Sequence, residues 1–136
     1  MFVIAQSVRL SSLHRLEKDV MDIYHAWFDL KPGVSDLEFC QRLASYMDSL
    51  KAGGQMQGWR LTRRKLGLAP AANGDFHLMM EFKDLAQLDA AFNRVGGRRE
   101  PIESLHFGVN SLVQNVSFGL YRDFPDPVRH QGEEKF

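Results

Sequence analysis

With a single cysteine, Cys40, this 136-residue chain cannot form an intrachain disulfide. Its stability must come from buried carbon and hydrogen bonds, which a chain of this length can supply. There is no surplus charge either. Lysine plus arginine number 17 and aspartate plus glutamate number 17, so the formal net charge is zero. This excludes the strongly basic footprint of a protein built to bind nucleic acid or anionic membrane. No apolar run approaches a membrane span, and the opening stretch Met1 to Ala5 is too brief for the core of a secretory signal. Together with the cysteine usage, this implies a cytoplasmic protein. The chain also lacks a G-x-S-x-G turn, a phosphate loop and a dinucleotide fingerprint. No H-x-x-x-H, H-x-H or paired-cysteine spacing gathers metal ligands. Neither a metal nor a cofactor is implied.

What is present alternates between two periods. Residues 1–20 mix charged and apolar side chains without a clean repeat. They read as an arm, either disordered or upstream of a natural start at Met21. A domain over 21–122 and a polar tail over 123–136 follow. The first strand is Ile23 to Phe28, stopped by Lys31-Pro32-Gly33. A helix then starts with Ser35 as cap, Glu38 completing a capping box, and Val34 and Phe39 as staple. Leu37, Cys40, Leu43, Ala44, Met47 and Leu50 recur at helical spacing, which places Cys40 in the core as a small apolar residue. Gly53-Gly54 ends this helix. Strands are predicted over Met56–Leu66 and Asp75–Phe82. A second helix is capped by Asp84 and striped by Leu85, Leu88, Phe92 and Val95, with Gly96-Gly97 as its stop. A short helix over Pro101–Asn110 and a last strand over Leu112–Tyr121 complete the domain.

The order strand, helix, strand, strand, helix, strand predicts an α+β, ferredoxin-like βαββαβ fold. Its four-stranded antiparallel sheet would carry two helices on one face. Alternation turns Tyr24, Ala26, Phe28, Phe76, Leu78, Met80, Phe82, Val116, Phe118 and Leu120 toward the helices. The other face receives His25, Trp27, Arg60, Thr62, Arg64, His77, Met79, Glu81, Asn115, Ser117 and Tyr121. That mixture of aromatics, imidazoles and charges fits a face covered by a second sheet or a ligand.

Five segments carry a resemblance. They are Ala26-Trp27-Phe28-Asp29-Leu30-Lys31-Pro32-Gly33, Arg60-Leu61-Thr62-Arg63-Arg64-Lys65-Leu66-Gly67, Phe76-His77-Leu78-Met79-Met80-Glu81-Phe82, His106-Phe107-Gly108-Val109-Asn110-Ser111, and Leu120-Tyr121-Arg122-Asp123-Phe124-Pro125-Asp126. Across roughly residues 21–128 the chain resembles an uncharacterised bacterial family, a domain of unknown function. It is similar, more loosely, to the dimeric α+β barrel superfamily. That group includes cofactor-free monooxygenases of the antibiotic-biosynthesis type, haem-degrading relatives and stress-response proteins. The resemblance implies two sheets packed as a barrel around a pocket. It transfers no catalytic pattern onto particular residues.

The titratable candidates near neutral pH are His25, His77 and His106. Each can be an ordinary hydrogen-bonded structural histidine. The sharper reading makes His25 and His77, neighbours on one face, the proton-moving pair, with Trp27 beside them. His106 and Asn110 are spaced i, i+4 and share a helical face, where they bind a ligand or tie the segment down. Arg60, Arg64 and Glu81 form a third group. One allowed hairpin register sets Arg60 opposite Glu81 and Arg64 opposite His77. The pairing is either a plain ion pair or a grip on a ligand carboxylate or phosphate.

The run Arg60 to Lys65 invites an RNA reading, but the third strand lacks exposed stacking aromatics and carries Glu81 instead. No nucleic-acid partner is expected, and no membrane partner. The expectation is a homodimer joined through the polar-aromatic sheet faces, holding a small apolar or anionic molecule. Its ligand residues would be Trp27, Arg60, Arg64, Glu81, His106, Asn110 and Tyr121, with His25 and His77 catalytic. The same pocket also serves a non-catalytic binding or interaction module.

Overall fold

The computed structural model describes residues 20–128 and residue 132. In chain order the elements are β1 (Asp22–Leu30), α1 (Asp36–Ala52), β2 (Gly58–Arg63), β3 (Phe76–Phe82), α2 (Leu85–Gly96), α3 (Ile102–Asn110) and β4 (Val113–Arg122). The sheet order is β2-β3-β1-β4, with every neighbouring pair antiparallel. This is the ferredoxin-like α+β fold that the element order predicts. The arm expected over residues 1–20 falls, but for residue 20, outside the described residues.

The helices start where side chains meet orphan backbone donors. Ser35 Oγ accepts from the Glu38 amide at 3.3 Å. The reciprocal half of the box is not made, because the Glu38 carboxylate accepts from Arg42 Nη2 at 2.8 Å instead. Asp84 Oδ1 accepts from the Gln87 amide at 2.8 Å, and Gln87 Oε1 accepts from the Lys83 amide at 2.8 Å. Gln87 is buried, and its side-chain amide also donates to Gly54 O and to Gln57 Oε1. One residue thus ties the start of α2 to the end of α1 and the entry to β2, with both ends of its side-chain amide paired.

The core differs from the expectation on α1. Phe39, Leu43, Met47 and Leu50 are its buried residues, while Leu37 and Cys40 are exposed. The stripe begins at Phe39 and runs at i+4 and i+3 steps, so Leu37 and Cys40 fall off its axis. Cys40 is therefore a surface thiol, not a core residue. On α2, Leu88 and Ala91 are buried, whereas Leu85 and Phe92 stay exposed. The residue in the left-handed region after α2 is Arg98 (φ 50°) rather than either glycine of the Gly96-Gly97 pair.

β2 is shorter than expected, and its register sits two residues away. Gly58 lies opposite Glu81, Arg60 opposite Met79 and Thr62 opposite His77. The expected pairings of Arg60 with Glu81 and of Arg64 with His77 are not made. A two-residue slip keeps every side chain on its face, so the hydrophobic pattern permits both registers. The β2–β3 connection selects between them. Gly74 packs where a Cβ would strike the Phe28 carbonyl, which pins the chain at the start of β3.

β4 carries one extra residue opposite Trp27–Asp29. Asn115 takes the bulge conformation (φ 54°), and its amide donates to Asp29 Oδ2 at 3.1 Å. The bulge resets parity, so both Val113 and Phe118 face the helices. Yet β4 contributes no residue to the buried core, and the row predicted to face inward, Val116, Phe118 and Leu120, is exposed. β4 is an edge strand, and the buried carbon gathers on β1, β3, α1 and α2 instead.

Candidate functional site

The two faces of the sheet hold two different clusters. On the face without helices, β1 presents His25 and Trp27, β3 presents His77, and β4 presents Tyr121. The His25 Nδ1 and His77 Nε2 atoms are 2.7 Å apart and share one proton between them. Trp27 stacks on His77 with ring centroids 4.7 Å apart and on His25 at 5.4 Å. Tyr121 meets the His25 ring edge-on at 4.9 Å. Gly119 lies opposite His25, and a Cβ there would press on the Trp27 and Tyr121 rings, so a missing side chain makes the room. Burial lowers the pKa of His25. Burial, and then the nearby His25, lower that of His77. His25 Nε2 is buried and finds no partner among the described residues.

The arginines expected beside these histidines do not join them. Arg64 folds back on its own loop, where Nη2 donates to Pro70 O at 3.3 Å and to Asn73 O. Its Nε lies 3.8 Å from the Asp75 carboxylate. That guanidinium closes the β2–β3 connection. Arg60 and Glu81 are exposed on the strands flanking the cluster and face Met79 and Gly58, not each other.

A cavity lies on the opposite side, between the sheet and the helices. It encloses about 350 Å³ and is lined almost wholly by carbon from Ala26, Leu43, Met47, Leu78, Leu88, Ala91 and their neighbours. Four polar side chains reach it: Tyr24, Tyr46, His106 and Asn110. His106 and Asn110 are brought together on α3 as their spacing predicts. Tyr46 on α1 meets the His106 ring edge-on, with centroids 5.6 Å apart. Burial pushes the Tyr46 hydroxyl up to about 12, so it remains a donor through the physiological range. Among the described residues no hydrogen bond ties down the side chains of Tyr46, His106 or Asn110. Asn110 stands at the exposed end of this wall, and the three polar groups are free to meet a ligand along a carbon-lined surface.

Sequence reasoning missed Tyr24 and Tyr46. A signal existed for Tyr46: it lies three residues after Leu43 and four before Leu50, beside the buried stripe. Nothing local marks a void, which depends on how far apart the layers are held. Among the described residues no group of three histidine, cysteine or carboxylate side chains converges as a metal ion requires. Nor is any helix long and apolar enough to cross a membrane.

A family model spans residues 21–136. The chain belongs to DUF6614, a family of unknown function. No curated protein matches this DUF6614 member. Among solved structures it is similar to a dimeric ferredoxin-like protein of unknown function from Thermobifida fusca. The two share 18% identity over 78% of this chain and 94% of that one, with a TM-score of 0.51. It is similar to SnoaB, a cofactor-independent oxygenase from Streptomyces nogalater, with 11% identity over 82% and 99% of the two chains and a TM-score of 0.57. It is also similar to the hydroxynitrile lyase from Passiflora edulis, with 16% identity over 75% and 93% and a TM-score of 0.55. At these identities the likeness concerns the fold alone.

Proposed function

We propose that this DUF6614 member is a homodimer that binds a small, mainly apolar molecule in the cavity between sheet and helices. The observation that carries the reading is a carbon-lined space of about 350 Å³ reached by Tyr46, His106 and Asn110, whose side chains make no hydrogen bond among the described residues. The carbon lining favours an apolar body. A protonated Tyr46 and the amide of Asn110 favour a carbonyl or similar acceptor at one end of the ligand. His106 beside Tyr46 adds a ring nitrogen that can donate or accept a hydrogen bond. A binding module needs nothing more.

A catalytic version of this reading draws on the same cavity. A cofactor-independent oxygenase and a hydroxynitrile lyase share the fold, so the fold accommodates catalysis, in the oxygenase without a cofactor. In that version His106 takes a proton from the ligand while Tyr46 donates to the oxygen that gains charge. A second location rests on the His25–His77 pair, where His25 Nε2 has no partner among the described residues. There His25 or His77 would exchange the proton, with Trp27 and Tyr121 packing the ligand.

Two measurements separate these readings. Native mass spectrometry of the purified protein identifies any retained ligand. Titration with prodan, an apolar naphthalene ketone that brightens and shifts to the blue out of water, measures the cavity directly. Tyr46→Phe and His106→Ala should weaken prodan binding several-fold, while His77→Ala leaves it unchanged. The reverse order would move the site to the open face.

A further inference from the structure

Four of the exposed large apolar side chains stand close together on one strand, β4. Phe118 is 60% exposed, Leu120 51% and Val116 39% on the helix side of β4, and Tyr121 is 62% exposed on the other side. By contrast His25, Trp27, His77 and Met79 on the open face are half-buried by one another. Exposure on both faces of a single strand implicates the strand's edge rather than either face of the sheet. β4 is the sheet's edge beyond β1, and among the described residues no fifth strand pairs with its outer side. It is also long for an edge strand, running from Val113 to Arg122.

Natural edge strands are guarded against pairing by lysine, proline, inward charges or short length. Past its single bulge at Asn115, β4 has none of these guards. From Val113 to Tyr121 it carries no charged residue and no proline. Arg122 closes it, and its guanidinium is taken by the buried Asp22, with Nε 2.6 Å from the carboxylate. An uncharged strand meets its own copy without repulsion, and antiparallel pairing about a twofold axis lets identical strands satisfy each other's free amides and carbonyls.

β4 also borders the cavity. Val113, Val116 and Phe118 line it together with Tyr24 and Phe92. Phe118 stacks flat on Tyr24, with ring centroids 5.5 Å apart, and Phe92 meets Tyr24 edge-on at 5.4 Å. Since Phe92, Val116 and Phe118 are exposed, they mark the mouth of the cavity. The side of the ligand site next to β4 is thus open in one chain.

We propose that a second copy of this chain seats its β4 against β4 and closes the cavity mouth, so that each ligand site is completed by its partner. This rests on the cavity reading above. The exposed side chains of Phe92, Val116, Phe118, Leu120 and Tyr121 together offer on the order of 500 Å² of surface, more than half of what one partner contributes to a standard interface. The occupant is a second copy, because the apolar row accompanies a strand edge that no described residue pairs and a copy brings the same uncharged strand to it. The T. fusca protein of this fold is itself described as dimeric.

The test uses the full chain and two readouts. Light scattering after size exclusion reports the mass, and prodan titration reports the cavity. The wild type should run at twice the chain mass at micromolar concentration. Phe118→Glu should run at the single-chain mass and bind prodan at least about tenfold more weakly. Leu120→Glu provides the same test should Phe118→Glu fail to fold. In the wild type, hydrogen exchange should show β4 amides on the outer edge protected at high concentration and exchanging faster on dilution. A wild type that stays monomeric from low to high micromolar concentration overturns the proposal, even if it binds prodan. So does a folded Phe118→Glu protein that keeps the wild-type mass. A dimer that dissociates on this substitution, yet never binds prodan, keeps the interface and removes the cavity reading instead.

Discussion

Filling the cavity from the wall should raise stability and abolish binding at the same time. Ala91 on α2 is 6% exposed and lines the cavity. Ala91→Leu pushes three more carbons into space that the native side chains leave open. At about 0.8 kcal/mol for each buried CH₂ the gain reaches roughly 2.4 kcal/mol, and ordering a leucine side chain returns about 0.5–1 kcal/mol of it. The net of about 1.5 kcal/mol corresponds to a rise in Tm of roughly 6–9 °C for a domain of this size. Leucine is also a strong helix former, so α2 itself loses little. Thermal unfolding followed by circular dichroism measures the first effect, and prodan titration the second. Prodan affinity should fall by more than tenfold, because the added carbons occupy the ligand's own volume. A destabilised Ala91→Leu protein would mean that the wall is already packed, since overpacking costs about 1–3 kcal/mol. Unchanged prodan binding would mean that the ligand does not enter this space.

Acidification probes the other face. His25 and His77 titrate below the ordinary histidine value in the folded chain, so the unfolded chain takes up their protons first as pH falls through about 6.5. Their stabilising contribution is present above that pH and is lost as pH drops toward the folded values. The fall in Tm between pH 7.5 and pH 5.5 should therefore be larger in the wild type than in a His25→Gln/His77→Gln double variant; equal falls would mean that the pair does not report pH. Helix caps give a separate check. Asp84 caps α2 at 2.8 Å and Ser35 caps α1 at 3.3 Å, so Asp84→Ala should cost about 1 kcal/mol in urea unfolding and Ser35→Ala less. The opposite ranking would refute the assignment of cap strength to these bonds.

The chain's elements and the sides of its strands are legible residue by residue. Ser35 and Asp84 announce helix starts, and Phe76, Leu78, Met80 and Phe82 alternate in a way only a strand uses. Both follow from local geometry: a helix repeats every 3.6 residues and a strand every two, so the pattern needs only near neighbours. The pairing of His25 with His77 was also within reach, because two histidines on one face of adjacent strands meet at few registers. The spacing of His106 and Asn110 placed both on one wall of α3 for the same reason.

Other features were settled only by the tertiary structure. Arg60 opposite Met79, rather than Glu81, differs from the expected register by two residues, and hydrophobic alternation is blind to a shift of two. Cys40 lies outside the buried stripe because Phe39 bears on the sheet, and a helix's orientation about its own axis is chosen by what it packs against. The apolar row of β4 looks like core in the sequence, yet it lies in the open because β4 ends the sheet and the core gathers elsewhere. The cavity is the clearest case. Its walls come from β1, β3, β4 and all three helices, and its volume is set by the gap between layers that these distant segments hold apart. Periodicity says which way a side chain points; how much space lies in front of it depends on contacts made across the whole chain.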